Sequence, residues 1–98
     1  MSVELTVRHT EVKEKVHAFA IEKGEMLIQE FPYIEHVKVV LDMDGPLCLA
    51  TFNIQGGQAT TVESDARGED FIPAITSAAE KAYTQLRKHA QKRQEVRS

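Results

Sequence analysis

Three consecutive strands are encoded by one stretch of the chain, IEHVKVVLDMDGPLCLATFNIQGGQATTVES, which covers residues 34–64. Apolar and polar residues alternate along most of it. This period of two predicts strands at about residues 34–43, 47–55 and 58–64. Asp44-Gly45-Pro46 and Gly56-Gly57 separate the strands with residues typical of tight turns. The stretch therefore predicts a three-strand meander.

The flanking segments add one strand and two helices. Val3–Val7 alternates apolar and polar residues and predicts the first strand. Apolar residues recur at helical spacing over about residues 14–31 and predict the first helix. A loop at 65–69 then leads to a last helix over about residues 70–94, with Asp70 as its N-cap.

The resulting order, β-α-β-β-β-α, predicts an α+β two-layer sandwich. The first strand reaches the second through a helix, so that connection is a right-handed parallel crossover. We expect a four-stranded mixed sheet with two helices on one face, in a single domain over residues 1–98. Gly24 lies mid-helix, where it costs about 1 kcal/mol relative to alanine. A close helix–helix or helix–sheet approach would explain its presence.

Cysteine content and hydropathy indicate where the protein resides. Cys48 is the only cysteine and cannot pair within the chain, which fits a reducing cytoplasm. We interpret it as a small buried hydrophobe in the third strand. No apolar run approaches the roughly 20 residues of a membrane span, and no signal-peptide pattern is present. We expect a cytoplasmic protein with no membrane partner.

Charge is distributed unevenly along the chain. Residues 1–80 carry six Lys/Arg and fourteen Asp/Glu, a net charge of −8, whereas residues 81–98 carry six Lys/Arg and one Glu, a net charge of +5. Such segregation indicates an anionic partner for one end of the molecule. A solvated helix tail explains the same pattern, and charge alone leaves both interpretations open.

Motifs for catalysis or metal binding are sparse. The sequence has no phosphate-binding glycine loop, no G-x-S-x-G elbow and no metal-type Cys/His cluster. The four histidines are scattered, and turn chemistry explains the acidic pair Asp42 and Asp44. We therefore expect no enzymatic activity, no cofactor, no metal site and no small-molecule substrate.

The last helix has two distinct faces. At about 100° per residue, its packing face consists of Phe71, Ile75, Ala78, Ala82 and Leu86. A separate stripe about a quarter turn away consists of Lys81, Gln85, Lys88 and Lys92. Hydrogen-bond donors in such a stripe recur at roughly 5–10 Å, comparable to phosphate spacing along RNA. The apolar pattern thins after Leu86, so the helix is predicted to outrun the sheet and to project a basic end at about residues 87–98.

Lys23 is unusual because it lies within the apolar arc of the first helix. One interpretation is a lysine whose stem packs while its ammonium reaches water. The other places Lys23 at the seam between the helices, beside the basic stripe of the last helix. Arg8 and His9 end the first strand and could extend the same surface.

Segments at the end of the chain match a known family pattern, G-x-D-M-Y-x-A-I-D, DK and Q-L-x-K-x-K. The matching segments are Gly68-Glu69-Asp70-Phe71, Ala74-Ile75, Glu80-Lys81 and Gln85-Leu86-Arg87-Lys88-His89. On these segments, and on similarities in the first helix and third strand, the chain resembles the ribosome hibernation promoting factor and ribosome-associated inhibitor family in its short form. Lys13 departs from the family, which has a capping Ser or Thr there.

The resemblance implies a fold akin to double-stranded-RNA-binding domains and a role in ribosome hibernation. The factor would bind 16S rRNA in the decoding channel of the small ribosomal subunit, block tRNA and mRNA binding, and inhibit translation in stationary phase or stress. The expected rRNA-binding residues are Arg8, Lys23, Lys81, Gln85, Arg87, Lys88, Lys92 and Arg93. We expect a monomer away from the ribosome.

Two other functions remain open on the sequence. One is a module that binds structured RNA off the ribosome. The other is a protein-interaction domain that uses the open sheet face or an edge strand. Sedimentation with ribosomes separates the first from the family role, and charge reversal on the last helix separates the second.

Overall fold

The chain folds in the predicted order. In the structure, a computed structural model, residues 2–57 and 60–97 are described, and from residue 90 onward only the backbone is described. The elements are β1 (Ser2–Val7), α1 (Glu14–Glu30), β2 (Ile34–Asp44), β3 (Leu47–Gly56), β4 (Thr61–Gly68) and α2 (Phe71–Arg97). The strands lie in the order β1-β2-β3-β4, with β1 parallel to β2 and the other pairs antiparallel. The predicted mixed sheet is therefore confirmed.

Both helices cover the same face of the sheet. α1 packs on β1 and β2, and α2 packs on β3 and β4. Val37 and Val39 of β2 and Phe52 of β3 point into this layer and are fully buried. Their neighbours along the strands, such as Lys38 and Thr51, are only partly covered on the opposite face. The two-layer sandwich predicted from the alternating pattern is thus confirmed, with one sheet face left open.

β4 lies further along the chain than predicted. It begins at Thr61 and continues to Gly68, so the expected loop at 65–69 is strand over most of its length. Gln58, the predicted start, lies outside the described residues. Ser64 and Ala66 are buried while their neighbours are exposed, because the strand keeps its alternation and pairs with β3 as far as Gly68. Acidic composition suggested a loop there, but a half-buried edge strand carries its charges on the solvent side.

Polar groups inside the sandwich have partners. Ser64 is buried, and its Oγ donates a hydrogen bond of 2.8 Å to the Ala78 carbonyl of α2. This bond ties β4 to the N-terminal third of α2. Cys48 is buried in β3, as predicted, and burial raises the pKa of its thiol. A raised pKa keeps the group as a neutral thiol rather than a reactive thiolate.

Gly24 marks the point where α1 crosses β1 most closely. A Cβ at Gly24 would lie 2.7 Å from Val3 Cγ1, well inside van der Waals contact. Of the two explanations that the sequence left open, the close helix–sheet approach is therefore correct. The glycine lets α1 seat against β1 despite its cost in helix propensity.

A double-mutant cycle tests this approach. We expect Gly24→Ala to destabilise the protein in the presence of Val3, because overpacking costs about 1–3 kcal/mol and outweighs the gain in helix propensity. In a Val3→Ala background the same change should stabilise by about 1 kcal/mol, since the clash is gone. Urea unfolding of the four proteins measures the coupling, and additive effects would show that the two residues do not meet.

Candidate nucleic-acid interface

Lys81 and Gln85 lie along the free edge of the sheet. The Lys81 Nζ donates a hydrogen bond of 2.9 Å to the carbonyl of Asp65, and the Gln85 Nε2 donates one of 3.3 Å to the carbonyl of Glu63. Both acceptors belong to β4, which is the last strand of the sheet formed by the described residues. The two side chains therefore cover part of an edge that would otherwise present unpaired backbone groups.

The charge of Lys81 remains available to a partner. Its side chain is exposed and forms no ion pair with a carboxylate of the described residues. An ammonium has three donors, and the bond to Asp65 uses one of them. Lys81 is thus a positioned cation at the sheet edge, with two donors free for an anion.

Beyond this edge α2 continues past the body of the domain. Leu86 is the last buried side chain among those described, and its carbonyl accepts a hydrogen bond of 2.9 Å from the Tyr33 hydroxyl. The helix backbone runs on to Arg97, roughly 16 Å further. The molecule measures 48 × 21 × 18 Å, an elongation that matches a projecting helix. The backbone of α2 therefore extends past the last buried side chain of the described residues, and a projecting basic end at residues 87–98 stays a prediction.

The predicted binding residues of this projecting helix fall into two groups. Arg87 and Lys88 are both exposed. Lys88 lies two turns beyond Lys81 and one turn beyond Gln85, on the same face of α2, whereas Arg87 lies one turn beyond Tyr83. The side chains of Lys92 and Arg93 lie outside the described residues, although their backbone is helical. Lys88 therefore continues the row of donors that starts at the β4 edge, whereas Arg87 points away from that row.

Lys23 is separated from that row. It lies half-buried in a groove between α1 and α2, beside Tyr83, with its Nζ 5.2 Å from the centre of the Phe19 ring. The predicted position at the helix seam is correct, but its predicted neighbourhood beside the basic stripe is wrong. Tyr83 and Lys81 are two positions apart on α2 and therefore point about 200° apart. The stripe faces β4, whereas Lys23 faces the opposite flank of α2.

Arg8 lies at the other end of the sheet. Its backbone N–H donates a hydrogen bond of 2.8 Å to the Leu41 carbonyl, and its side chain is exposed. α2 begins at this end, because it follows the last residue of β4, and it runs away from it. Arg8 and Arg87 are thus separated by most of the length of α2, roughly 25 Å. The predicted residues do not form one compact cluster.

The acidic pair at the β2–β3 turn is engaged locally. His9 Nδ1 lies 3.0 Å from Asp42 Oδ1, and the hydrogen bonds from His9 and from the Met43 N–H hold the pKa of Asp42 below its ordinary value. Asp44 pairs with Arg67 of β4. Both carboxylates are therefore bound by residues of the turn and of the adjacent strands and loops, which agrees with their interpretation as turn residues.

Two side chains of the helical layer were not identified from the sequence. Met26 and Tyr83 are large and apolar, yet 51% and 37% of their surfaces are exposed, and both line the groove that contains Lys23. Tyr83 falls outside the packing face predicted for α2, whereas Met26 lies two turns after Phe19, at the margin of the apolar face of α1. An apolar residue at or beyond the margin of a packing face is the signal that could have indicated them.

The described residues offer few other candidate sites. No group of three or more His, Cys, Asp or Glu among them lies close enough to hold a metal ion. Over the same part of the chain, neither helix has the length and hydropathy needed to span a membrane. The row of donors on α2 at the β4 edge therefore remains the main candidate interface.

Solved structures share this fold. A ribosomal subunit interface protein from Coxiella burnetii superposes with a TM-score of 0.80 at 14% identity, over 93% of this chain and 99% of that one. The N-terminal domain of Protein Y from Thermus thermophilus gives 0.77 at 22% identity, over 91% and 99%. At these identities the likeness establishes the architecture alone.

Relatives found by sequence have a higher identity to this chain than these two structures. The chain is 31% identical to the ribosome hibernation promoting factor of Pseudomonas putida, over 98% of this chain and 93% of the relative. It is also 31% identical to the factor of the same name from Escherichia coli K12, over 94% and 96%. The model of the family described as sigma 54 modulation protein / S30EA ribosomal protein matches residues 3–94. With nearly the whole length matched, the chain belongs to that family.

Proposed function

We propose that the protein is a ribosome hibernation factor that binds 16S rRNA in the decoding channel of the small subunit and inhibits translation. The observation that carries the proposal is the row of donors from Lys81 to Lys88, which begins at the sheet edge and continues onto a projecting helix. The relatives at 31% identity bear the name ribosome hibernation promoting factor. The role requires occupancy of a site and no chemical step, so the protein acts in the cytoplasm without being an enzyme.

The proposed mechanism is electrostatic docking followed by steric exclusion. Lysine and arginine side chains release counterions from rRNA phosphates, so affinity falls steeply as salt rises. Structured RNA is recognised mainly through its shape and backbone, which suits a rigid row of donors. The acidic body, with a net charge of −8 over residues 1–80, repels phosphates and orients α2 toward the RNA. A bound protein then blocks the positions that tRNA and mRNA require.

Translation in vitro tests target and effect together. Added protein should inhibit a purified translation system in proportion to its occupancy of small subunits, and raised salt should relieve the inhibition. Sedimentation through a sucrose gradient should place the protein with small subunits or whole ribosomes, and as a monomer when ribosomes are absent. Full translation at saturating protein would contradict the proposal. Binding to structured RNA without cosedimentation would favour a module acting off the ribosome.

A further inference from the structure

The groove between α1 and α2 is an apolar surface separate from the row of donors. Among the described residues, the two exposed large hydrophobic side chains, Met26 and Tyr83, both line it. Leu27 and Ala79 lie behind them and belong to the core. Apolar side chains gathered in one groove are typical of an interaction site, whereas scattered ones are ordinary.

The size of the groove limits what it can hold. Its volume is about 200 Å³, below the roughly 300–1,000 Å³ of sites that enclose whole small ligands. One or two apolar side chains of a peptide fit such a space. Helix–helix grooves commonly receive anchor residues of this kind.

The charges around the groove favour a cationic partner. Glu30 of α1 and Glu80 of α2 line it, and both are exposed. Lys23 is the one cation of the lining, and its ammonium lies over the Phe19 ring. The Tyr83 hydroxyl donates a hydrogen bond of 3.4 Å to Glu30, which keeps that carboxylate beside the groove. Two flanking carboxylates disfavour the phosphates of RNA and attract Arg or Lys.

We propose that this groove binds a basic peptide segment of a partner protein. One large apolar side chain of the segment enters between Met26 and Tyr83, and neighbouring Arg or Lys residues pair with Glu30 and Glu80. Lys81 points to the opposite flank of α2, so the peptide and an RNA can be held at the same time. The proposal goes beyond ribosome inhibition, and it holds or fails independently of the rRNA target.

A labelled peptide library tests the proposal on the full chain. The probes are fluorescein-labelled twelve-residue peptides with Leu, Met, Phe or Ala at the centre and Arg, Gln or Glu on both flanks, measured by fluorescence anisotropy. We expect saturable binding only for a large apolar centre with Arg flanks. The Ala-centred and Glu-flanked peptides should bind at least about tenfold more weakly.

Matched variants locate the binding. Glu30→Lys with Glu80→Lys should raise the Kd at least about tenfold, because two attractions become repulsions. The control, Glu25→Lys with Glu63→Lys, makes the same change in net charge outside the groove and should alter the Kd less than about twofold. Met26→Gln should weaken binding without a change in charge. Thermal melting verifies that each variant folds.

Three results would overturn the proposal. The first is the absence of saturable binding across the library, and the second is an equal effect of the groove and control variants. The third is a different occupant of the unmodified groove. RNA is that occupant if a labelled RNA hairpin competes with the Arg-flanked peptide for the wild-type protein and Met26→Gln weakens the hairpin's binding. A second copy is that occupant if Met26→Gln abolishes self-association in analytical ultracentrifugation. Cosedimentation with ribosomes is a separate measurement and reports on the rRNA proposal alone.

Discussion

Changing Lys81, Lys88 and Lys92 to glutamate should remove the protein from the ribosomal fractions of a sucrose gradient. Hydrogen bonds to charged groups contribute about 1.5–3 kcal/mol each, so the loss of three should weaken binding at least about a hundredfold. The dependence of affinity on salt should also become shallower, since fewer counterions are released. Measuring the cosedimenting fraction at several salt concentrations tests both expectations.

The matched control separates position from net charge. Lys13, Lys15 and Lys38 changed to glutamate give the same net charge, but the first two lie at the start of α1 and the third on the open sheet face. This control should retain most of the binding. Equal loss in both triple variants would show that overall charge, rather than the surface of α2, governs the interaction.

Lys81 requires one further variant because it also supports the fold. Its hydrogen bond to the Asp65 carbonyl would be lost in Lys81→Glu, which adds a carboxylate beside an acidic strand. Lys81→Gln keeps an amide donor for that carbonyl and removes the charge. If Lys81→Gln, combined with glutamine at Lys88 and Lys92, folds normally and still binds ribosomes as wild type does, the assigned surface is wrong.

Local periodicity explains why most of the fold could be predicted from the sequence. Burial of one sheet face repeats every two residues, and the alternation over residues 34–55 places Val37, Val39 and Phe52 on the buried face. In β4 two signals disagree: the acidic composition of residues 65–69 predicts a loop, whereas the alternation that Ala66 continues predicts a strand. The structure follows the alternation, because the charged side chains point to solvent from a half-buried strand.

The arrangement of the candidate site depended on contacts that no single segment encodes. A helical wheel places Lys81 and Gln85 on one stripe, but it does not tell which neighbour that stripe faces. In the structure the stripe faces β4. The carbonyls of β4 can accept hydrogen bonds from Lys81 and Gln85 because β4 is the edge strand of the sheet. For the same reason, the interpretation that places Lys23 at the helix seam predicts the seam correctly but not the flank of α2 that it faces. The lack of a side-chain cap at Lys13, by contrast, could be predicted locally, because lysine has no side-chain oxygen to accept a hydrogen bond from the first turn of α1.

Phe52→Ala should cause the largest loss of stability among single substitutions in the sheet. Phe52 is 0% exposed at the centre of β3, where it pairs with Val39 and Ser64 and belongs to the core beneath the helical layer. Removing a buried phenyl ring costs about 3–5 kcal/mol, a large part of the 5–15 kcal/mol that typically stabilises a domain. We expect the Tm to fall by at least about 12 °C.

Phe19→Ala provides the comparison, because it deletes the same ring from a half-buried position on α1 under the ammonium of Lys23. Phe19→Ala should lower the free energy of unfolding less than Phe52→Ala does, since part of the Phe19 ring is already in water. Urea unfolding of both variants measures the difference in the free energy of unfolding. A cost for Phe19→Ala equal to or above that for Phe52→Ala would mean that the centre of the core lies elsewhere. The sheet holds α2 at its β4 edge, so Phe52→Ala should also lose ribosome binding at a lower temperature than Phe19→Ala.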